Sequence, residues 1–438
     1  MTHSARVAVK HVSLCLALFF VLNLHGQDSA KSAPDYSKEA FVIQRILNKL
    51  QFENDGTFAL ESAIQVRVQS AAGVQGWGLI QLPYASNEGD AAITSVKVTK
   101  PDGTVVSTPL DNIQDTPAPI TVQAPFYSDL KIKQLAVKGL DVGDILDFGQ
   151  SVHIRNPLVP GQFWFERNFF KNGIVLDEQL EIRVPRDRYV KVQSPKVVPT
   201  TADENGYRVY LWKAANLERP SEDEKSKAAE SPKDTVPDVQ ITSFHSWEEV
   251  GQWYQQLEAS RIAPTPEIKA KADELTRGAA SEKEKILLVY NYVATKFRYI
   301  GIAFGIGRYQ PHAAADVLAN GYGDCKDKHT LLAALLNAAG IHSSAVLINS
   351  SRKLDPEVPS PAQFDHVITA VPQGKDLLWL DSTEEVAPAG YLIPVLRDKQ
   401  ALAIPDAGAG QLVRTPADPP FASSFIFKID GKIGSDSA

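Results

Sequence analysis

Cysteine is scarce in this sequence: Cys15 and Cys325 are the only two among 438 residues. Cys15 lies inside an apolar N-terminal run. A chain that has lost that run keeps one thiol and cannot form an intramolecular disulfide, which excludes a disulfide-stapled scaffold. A basic surplus is also missing. Lys and Arg number 45 against 52 Asp and Glu, a formal charge of −7, so there is no electrostatic footprint for a nucleic-acid backbone. The β-rich first half contains no metal-ligand spacing, nucleophile elbow or phosphate loop, and no EF-type loop supports calcium dependence. No cofactor and no metal are expected.

Long hydrophobic runs are absent too. The longest apolar stretch, Val12 to Leu24, is shorter than the ~20 residues needed to span a bilayer. It follows Arg6 and Lys10, and residues 1–26 contain no acid. The pattern reads as a secretory signal peptide ending near Gly26, with an uncleaved membrane anchor as the alternative. Its removal leaves 43 basic against 52 acidic residues, a net −9. The expected product is exported, periplasmic or secreted, with no later membrane span. In an oxidising compartment a lone thiol is either buried and inert or kept for chemistry. The function therefore turns on Cys325.

What is present is an ordinary globular composition, 44% hydrophobic and 22% charged, in a length that suits two or three domains at roughly 150 residues each. After a flexible lead-in over 27–40, residues 41–217 read as an all-β, sandwich-like domain. Alternation marks Ile64–Val68 and Ile93–Val98. Pro101-Asp102-Gly103 and Asn205-Gly206 turn strands into hairpins, and Gly139 to Phe148 suggests another. Residues 218–240, rich in acids, lysine and proline, read as a solvated linker.

From 241 the period becomes helical. Ser246 with Glu249, Thr265-Pro266, and Ser281 with Glu284 open three helices. The third presents Ile286, Val289, Tyr290, Val293 and Phe297 on one apolar face. A fourth begins in Gly323-Asp324-Cys325-Lys326-Asp327-Lys328-His329, with Asp324 as N-cap, a leucine stripe (Leu331, Leu332, Leu335, Leu336) and Gly340 as the stop. Cys325 then sits in the first turn, where unpaired N–H groups and the macrodipole favour a thiolate. Lys326 and Lys328 are expected to add positive potential.

A thiolate catalyst needs a base and a group that orients it. Two strands follow the helix, Asp365–Val371 and Leu377–Asp381, around Pro372-Gln373-Gly374-Lys375. A hairpin centred between Gln373 and Gly374 would set His366 directly opposite Asp381, with Cβ atoms roughly 4.5–5.5 Å apart. A slip of one residue would put them on opposite faces.

The order Cys325, His366, Asp381 and the Gly-Asp-Cys-Lys-Asp turn resemble the transglutaminase-like branch of the papain-like thiol enzymes. The whole chain resembles a bacterial family in which a β-rich N-terminal domain of unknown function precedes that α+β cysteine domain. The matching stretches are Tyr309-Gln310-Pro311, Gly323–Lys328, Phe364-Asp365-His366-Val367 and Leu380-Asp381-Ser382-Thr383. The catalytic resemblance spans about 280–405 and the N-terminal one, more diffuse, about 40–240. In the family pattern the residue before the histidine is often Asn; here it is Asp365, an additional carboxylate.

The resemblance implies acyl transfer on peptide or side-chain amides through Cys325, His366 and Asp381, with hydrolysis favoured over cross-linking. The Cys325 N–H is expected to serve the oxyanion, with Gln310 or Tyr309 as candidates for a second donor. His329, one helical turn past Cys325, is an alternative base. The different-class alternative is an envelope binding or assembly module with a vestigial thiol site, its β domain holding a protein or a glycan. On this reading residues 241–410 form the cysteine domain. Residues 411–438, ending in the strand-like Phe425–Ile433, would start an incomplete C-terminal β domain, as in a truncated product.

Overall fold

Alternation of apolar and polar residues builds the first half. Ile43, Ile46, Leu50 and Phe52 of the strand Phe41–Phe52 are buried, whereas Arg45 and Lys49 between them are exposed. Leu180, Ile182 and Val184 of Val175–Pro185 repeat the pattern on the adjacent, parallel strand. The computed structural model describes residues 34–127, 129–157, 159–219, 236–301, 309–405, 409–422 and 426–431. The expected signal peptide and most of the linker lie outside the described residues.

Eight strands form one large sheet in the order Thr200–Glu204, Tyr207–Asn216, Val175–Pro185, Phe41–Phe52, Phe58–Val68, Ile145–Ile154, Gly89–Thr99 and Val105–Ser107. Two expected turns form as read. Thr99 pairs with Val105 across Gly103 at φ 87°, and Glu204 pairs with Tyr207 across Asn205 and Gly206, both at positive φ. The Gly139–Phe148 hairpin does not form. Ile145–Ile154 belongs to the large sheet, while the preceding strand, Leu130–Ala136, lies in a separate three-stranded sheet with Leu79–Ala85 and Gln114–Pro117. The connection crosses between layers instead, held by Lys100, whose Nζ donates to Gly139 O at 2.6 Å and to Asp141 and Asp144 at 2.8 Å.

A second three-stranded sheet joins Lys191–Gln193, Val239–Thr242 and Trp164–Arg167. Its central strand takes the last two residues of the expected 218–240 linker, so the linker ends earlier than read and the chain re-enters the β domain before the helices begin. Val239 and Ile241 face inward onto Leu50, Phe52 and Trp212. The alternate residues face the cysteine domain. The Thr242 hydroxyl donates to Pro359 O at 2.7 Å, and Trp164 packs against Trp253.

The cysteine domain sets the helices Trp247–Ala259, Pro266–Thr276, Glu282–Lys296, Ala314–Asn320 and Cys325–Ala338 beside a five-stranded antiparallel sheet. The three expected caps form: the side chains of Ser246, Thr265 and Ser281 each accept an N–H from the first turn. The helix Cys325–Ala338 is buried on every side as far as Leu336, lysines included, because it runs between the other helices and the sheet.

The sheet takes its edge strand from Gln411–Arg414, paired with Gln400–Ile404. The segment expected to open a separate C-terminal domain thus begins by completing this one. Further on, 426–431 has no strand pairing, and Ile426, Phe427 and Ile429 are exposed; Phe425, Lys432 and Ile433 lie outside the described residues.

Candidate active site

The thiol's turn is built from small, specific constraints. Gly321, at φ 74°, ends the helix Ala314–Asn320, and Tyr322-Gly323 then pairs in parallel with Arg298-Tyr299. Gly323 leaves room for the next turn, since a Cβ there would lie 2.6 Å from the Cβ of Asp327. Asp324 is extended and its carboxylate accepts the Asp327 N–H at 3.2 Å, a side-chain N-cap. Cys325 is the first helical residue, and its own N–H has no intrahelical acceptor. The cysteine is 2% exposed and is backed by a cluster containing Tyr254, Tyr309, Phe364 and Val367.

Charges surround this turn, but most are matched. Asp324 forms an ion pair with Lys326. Burial pushes the Asp324 carboxyl up to about 6, with Lys326 opposing the rise. Asp327 goes the other way. Burial acts against its ionisation, yet the bond from His312, the charge of Lys326 and the bond from Tyr127 hold it down to about 2. Its oxygens accept the His312 N–H at 2.9 Å and the Tyr127 hydroxyl at 2.6 Å. Lys328 is buried, which pushes its amine down to about 8. Its Nζ donates to the carbonyls of Ala294 and Phe297 at the end of the helix Glu282–Lys296. Of the positive potential expected here, Lys326 is paired with Asp324 but also acts on Asp327 and Cys325, whereas the Lys328 amine is held by helix carbonyls.

His366 opens the strand His366–Gln373, and Asp381 directly follows Asp376–Leu380. The expected register is corrected here. Gly374, at φ 64°, takes the first position of a two-residue turn with Lys375, and Gln373 pairs with Asp376. The ladder extends to Thr369 opposite Leu380. In this register the position facing His366 is two residues beyond Asp381. Side chains two apart share a face, so the even displacement turns a direct pair into a diagonal one and preserves the contact. His366 Nε2 lies 3.0 Å from Asp381 Oδ2.

The other Asp381 oxygen accepts both the N–H and the hydroxyl of Thr383, at 3.0 and 2.6 Å. Burial opposes ionisation of Asp381, but the charge and hydrogen bond of His366 and the two bonds from Thr383 lower its pKa. Burial also disfavours a charged His366. The Asp381 charge, the hydrogen bond to Asp381 and the influence of Cys325 outweigh burial and raise the imidazole well above its ordinary value. With Nε2 engaged by Asp381, Nδ1 is the ring nitrogen left for the thiol. The arrangement can hold an imidazolium beside a sulfur and return the proton to an adjacent group.

The remaining sequence candidates fall elsewhere. His329 is buried, with Nδ1 2.7 Å from the Thr369 hydroxyl and Nε2 2.6 Å from Glu258; both ring nitrogens are committed within the core. Asp365 accepts from the Ser350 N–H at 2.6 Å and from the hydroxyls of Ser350 and Ser351 at 3.0 Å, which directs its carboxylate to that loop. Tyr309 lies in an aromatic cluster with Trp253 and Trp164, ring centroids 5.2 and 5.6 Å away. Gln310, beside it, is half-buried.

Four site residues carried no sequence signal of their role. Tyr290 reads as one member of an apolar helix face, yet its hydroxyl donates to Asp381 O at 3.0 Å and to Ala387 O at 2.8 Å. Thr383 belongs to a motif stretch but only the fold shows what it touches. Trp164 and Tyr127 come from the β domain, far away in sequence.

Residues 54–221 match DUF3857, a domain of unknown function with a solved structure, and residues 269–370 match the transglutaminase-like superfamily. The second match contains Cys325 and His366 and ends before Asp381. No curated protein matches the chain. Among solved structures, a "putative protease" from Parabacteroides distasonis is similar with a TM-score of 0.72 and 18% identity, covering 87% of this chain and 72% of that one. A "putative cysteine protease" from Cytophaga hutchinsonii is 13% identical, covers 83% of this chain and 87% of that one, and has a TM-score of 0.24.

The chain thus contains a DUF3857 domain followed by a transglutaminase-like domain. The Parabacteroides protein shares that fold and arrangement. Among the described residues, no helix is long and apolar enough to cross a membrane.

Proposed function

We propose that this protein is a thiol-dependent acyl-transfer enzyme that hydrolyses peptide or side-chain amides. The observation that carries the reading is the His366–Asp381 pair, 3.0 Å apart, in the same domain as a cysteine held at a helix N-terminus. The Cys325 thiolate attacks the amide carbonyl, forming a C–S bond, and the oxyanion takes the free N–H of the helix's first turn. His366 delivers its proton to the leaving amine as the C–N bond breaks, giving a thioester. It then takes a proton from water, whose attack releases the acid and the thiol. Asp381 keeps the imidazole oriented and offsets its charge. Water is the default acceptor, because no sequence feature marks a groove for an amine; cross-linking to an amine follows the same route with a different second nucleophile. The N-terminal leader points to action outside the cytoplasm.

A thiol-directed activity probe tests the reading. Folded wild type is expected to label at Cys325, and Cys325→Ala to remain unlabelled. The 2% exposure of Cys325 favours a second reading, a binding or assembly module with a vestigial site. Labelling only after denaturation would select that reading and reject the first.

A further inference from the structure

Tyr127 belongs to the β domain, yet its side chain ends beneath the first turn of the thiol's helix. Ala124, Tyr127 and Leu130 pack with Ile300, which follows the strand paired to the thiol's turn, and Tyr127 is 2% exposed. One hydroxyl makes two bonds there. It donates to Asp327 Oδ2 at 2.6 Å and accepts the Asp324 N–H at 2.9 Å. These partners are the N-cap residue just before Cys325 and the residue two after it. The charged and titratable groups facing the ring and hydroxyl include Asp324, Asp327, Lys326 at 6.0 Å from the ring centroid, and His312 at 5.3 Å between ring centroids.

We infer that Tyr127 is a positioning residue for the thiol site, through which the DUF3857 domain sets the geometry of the turn that carries Cys325. The inference rests on the thiol-enzyme reading for its catalytic consequence. A buried Asp324 N–H must find an acceptor, and here the acceptor is the other domain's phenol. Burial and the nearby carboxylates push the phenol's pKa far upward, so the hydroxyl keeps the proton that it donates to Asp327. The Cys325 N–H, the proposed oxyanion donor, lies between the two bonded residues. A tilt of this turn moves that donor and the sulfur together, and displacements near 1 Å cost on the order of 100-fold in rate. The inter-domain contact therefore acts on the chemistry as well as on docking.

The test uses the full chain. Tyr127→Phe removes only the hydroxyl. Tyr207→Phe serves as the control, because it removes a phenol bonded to a carboxylate, Glu53 at 2.8 Å, within the β domain alone. Asp327→Asn, made in parallel, keeps the side chain's shape but leaves one acceptor oxygen where two serve Tyr127 and His312. Two quantities are read: kcat and KM on an amide substrate found by proteomic screening, and the rate of Cys325 alkylation by iodoacetamide at pH 7.

Tyr127→Phe is expected to lower kcat about 10- to 100-fold with KM within about twofold, and to slow alkylation about three- to tenfold. Asp327→Asn is expected to change both in the same direction, and Tyr207→Phe neither. Wild-type kcat and alkylation in Tyr127→Phe, or equal losses in Tyr207→Phe, would overturn the inference. If Tyr127→Phe does not fold, Asp327→Asn decides: unchanged kcat and alkylation there would also overturn it. If the wild type turns over no amide but the alkylation change remains, the positioning stands and the enzyme reading fails.

Discussion

His366 Nε2 and Asp381 Oδ2 are 3.0 Å apart, and the second Asp381 oxygen is occupied by Thr383. Replacing Asp381 by Asn keeps the shape but loses the charge opposite the imidazole. The equivalent change in a serine-protease triad costs about 10⁴-fold, and a nucleophile that is more readily ionised should depend less on it. Asp381→Asn is expected to lower kcat by about 10 to 10³ with Tm nearly unchanged. Glu384→Gln and Glu385→Gln, just beyond, should retain activity. Steady-state kinetics and thermal melts on the three variants check this.

Tyr290 holds the same aspartate from the backbone side, donating to the carbonyls of Asp381 and Ala387. Tyr290→Phe leaves the buried carbonyl of Asp381 and the half-buried one of Ala387 without that donor. The expected cost is about 1–3 kcal/mol of stability, measured by urea unfolding, with a fall in kcat smaller than that of Asp381→Asn. A kcat loss larger than that of Asp381→Asn would mean that backbone placement outweighs the carboxylate's charge.

The raised pKa of His366 has a consequence for stability. The folded protein binds this proton more tightly than the unfolded chain, so the contribution is fully present below about 6.5 and is lost as pH climbs through the folded value. Wild-type Tm is therefore expected to fall as pH rises above about 6.5 by an amount that His366→Gln does not show. Parallel Tm–pH curves for the two proteins between pH 6 and 9 would contradict this linkage.

Alkylation probes the Cys325–His366 pairing independently of any substrate. Cys325 is expected to react with iodoacetamide faster than a free cysteine peptide at pH 6–7, from its helix position and its imidazole partner. His366→Ala should alter the pH profile of that reaction. An unaltered profile would count against the pairing.

The site was legible where local chemistry decides it. Asp324 suited a cap and the leucine stripe with its Gly340 stop followed it, so Cys325 could be placed at the head of a helix from the sequence alone. His366 and Asp381 were legible as a pair because strand parity survives a two-residue error in register. The direct pairing itself was misplaced, since choosing Gly374-Lys375 as the turn depends on which residue takes a positive φ. Tyr290, Tyr127 and Trp164 were not legible in their roles. An aromatic residue on a buried face looks the same in sequence whether its polar end meets the core or a catalytic backbone, and contacts between domains leave no periodic trace. The Gly139–Phe148 connection failed as a hairpin for a related reason: turn residues mark a reversal but do not say which sheet receives the next strand.

The central claim is that Cys325 carries the acyl group. The most direct measurement is acid-quenched mass spectrometry of the full chain mixed with an activated peptide ester, followed by mapping of the peptide that contains Cys325. The account predicts an acyl adduct on Cys325 that forms and then decays in wild type, persists longer in His366→Ala, and is absent in Cys325→Ala. A folded wild type that releases product with no adduct on Cys325 at any time, and equally well in Cys325→Ala, would contradict it.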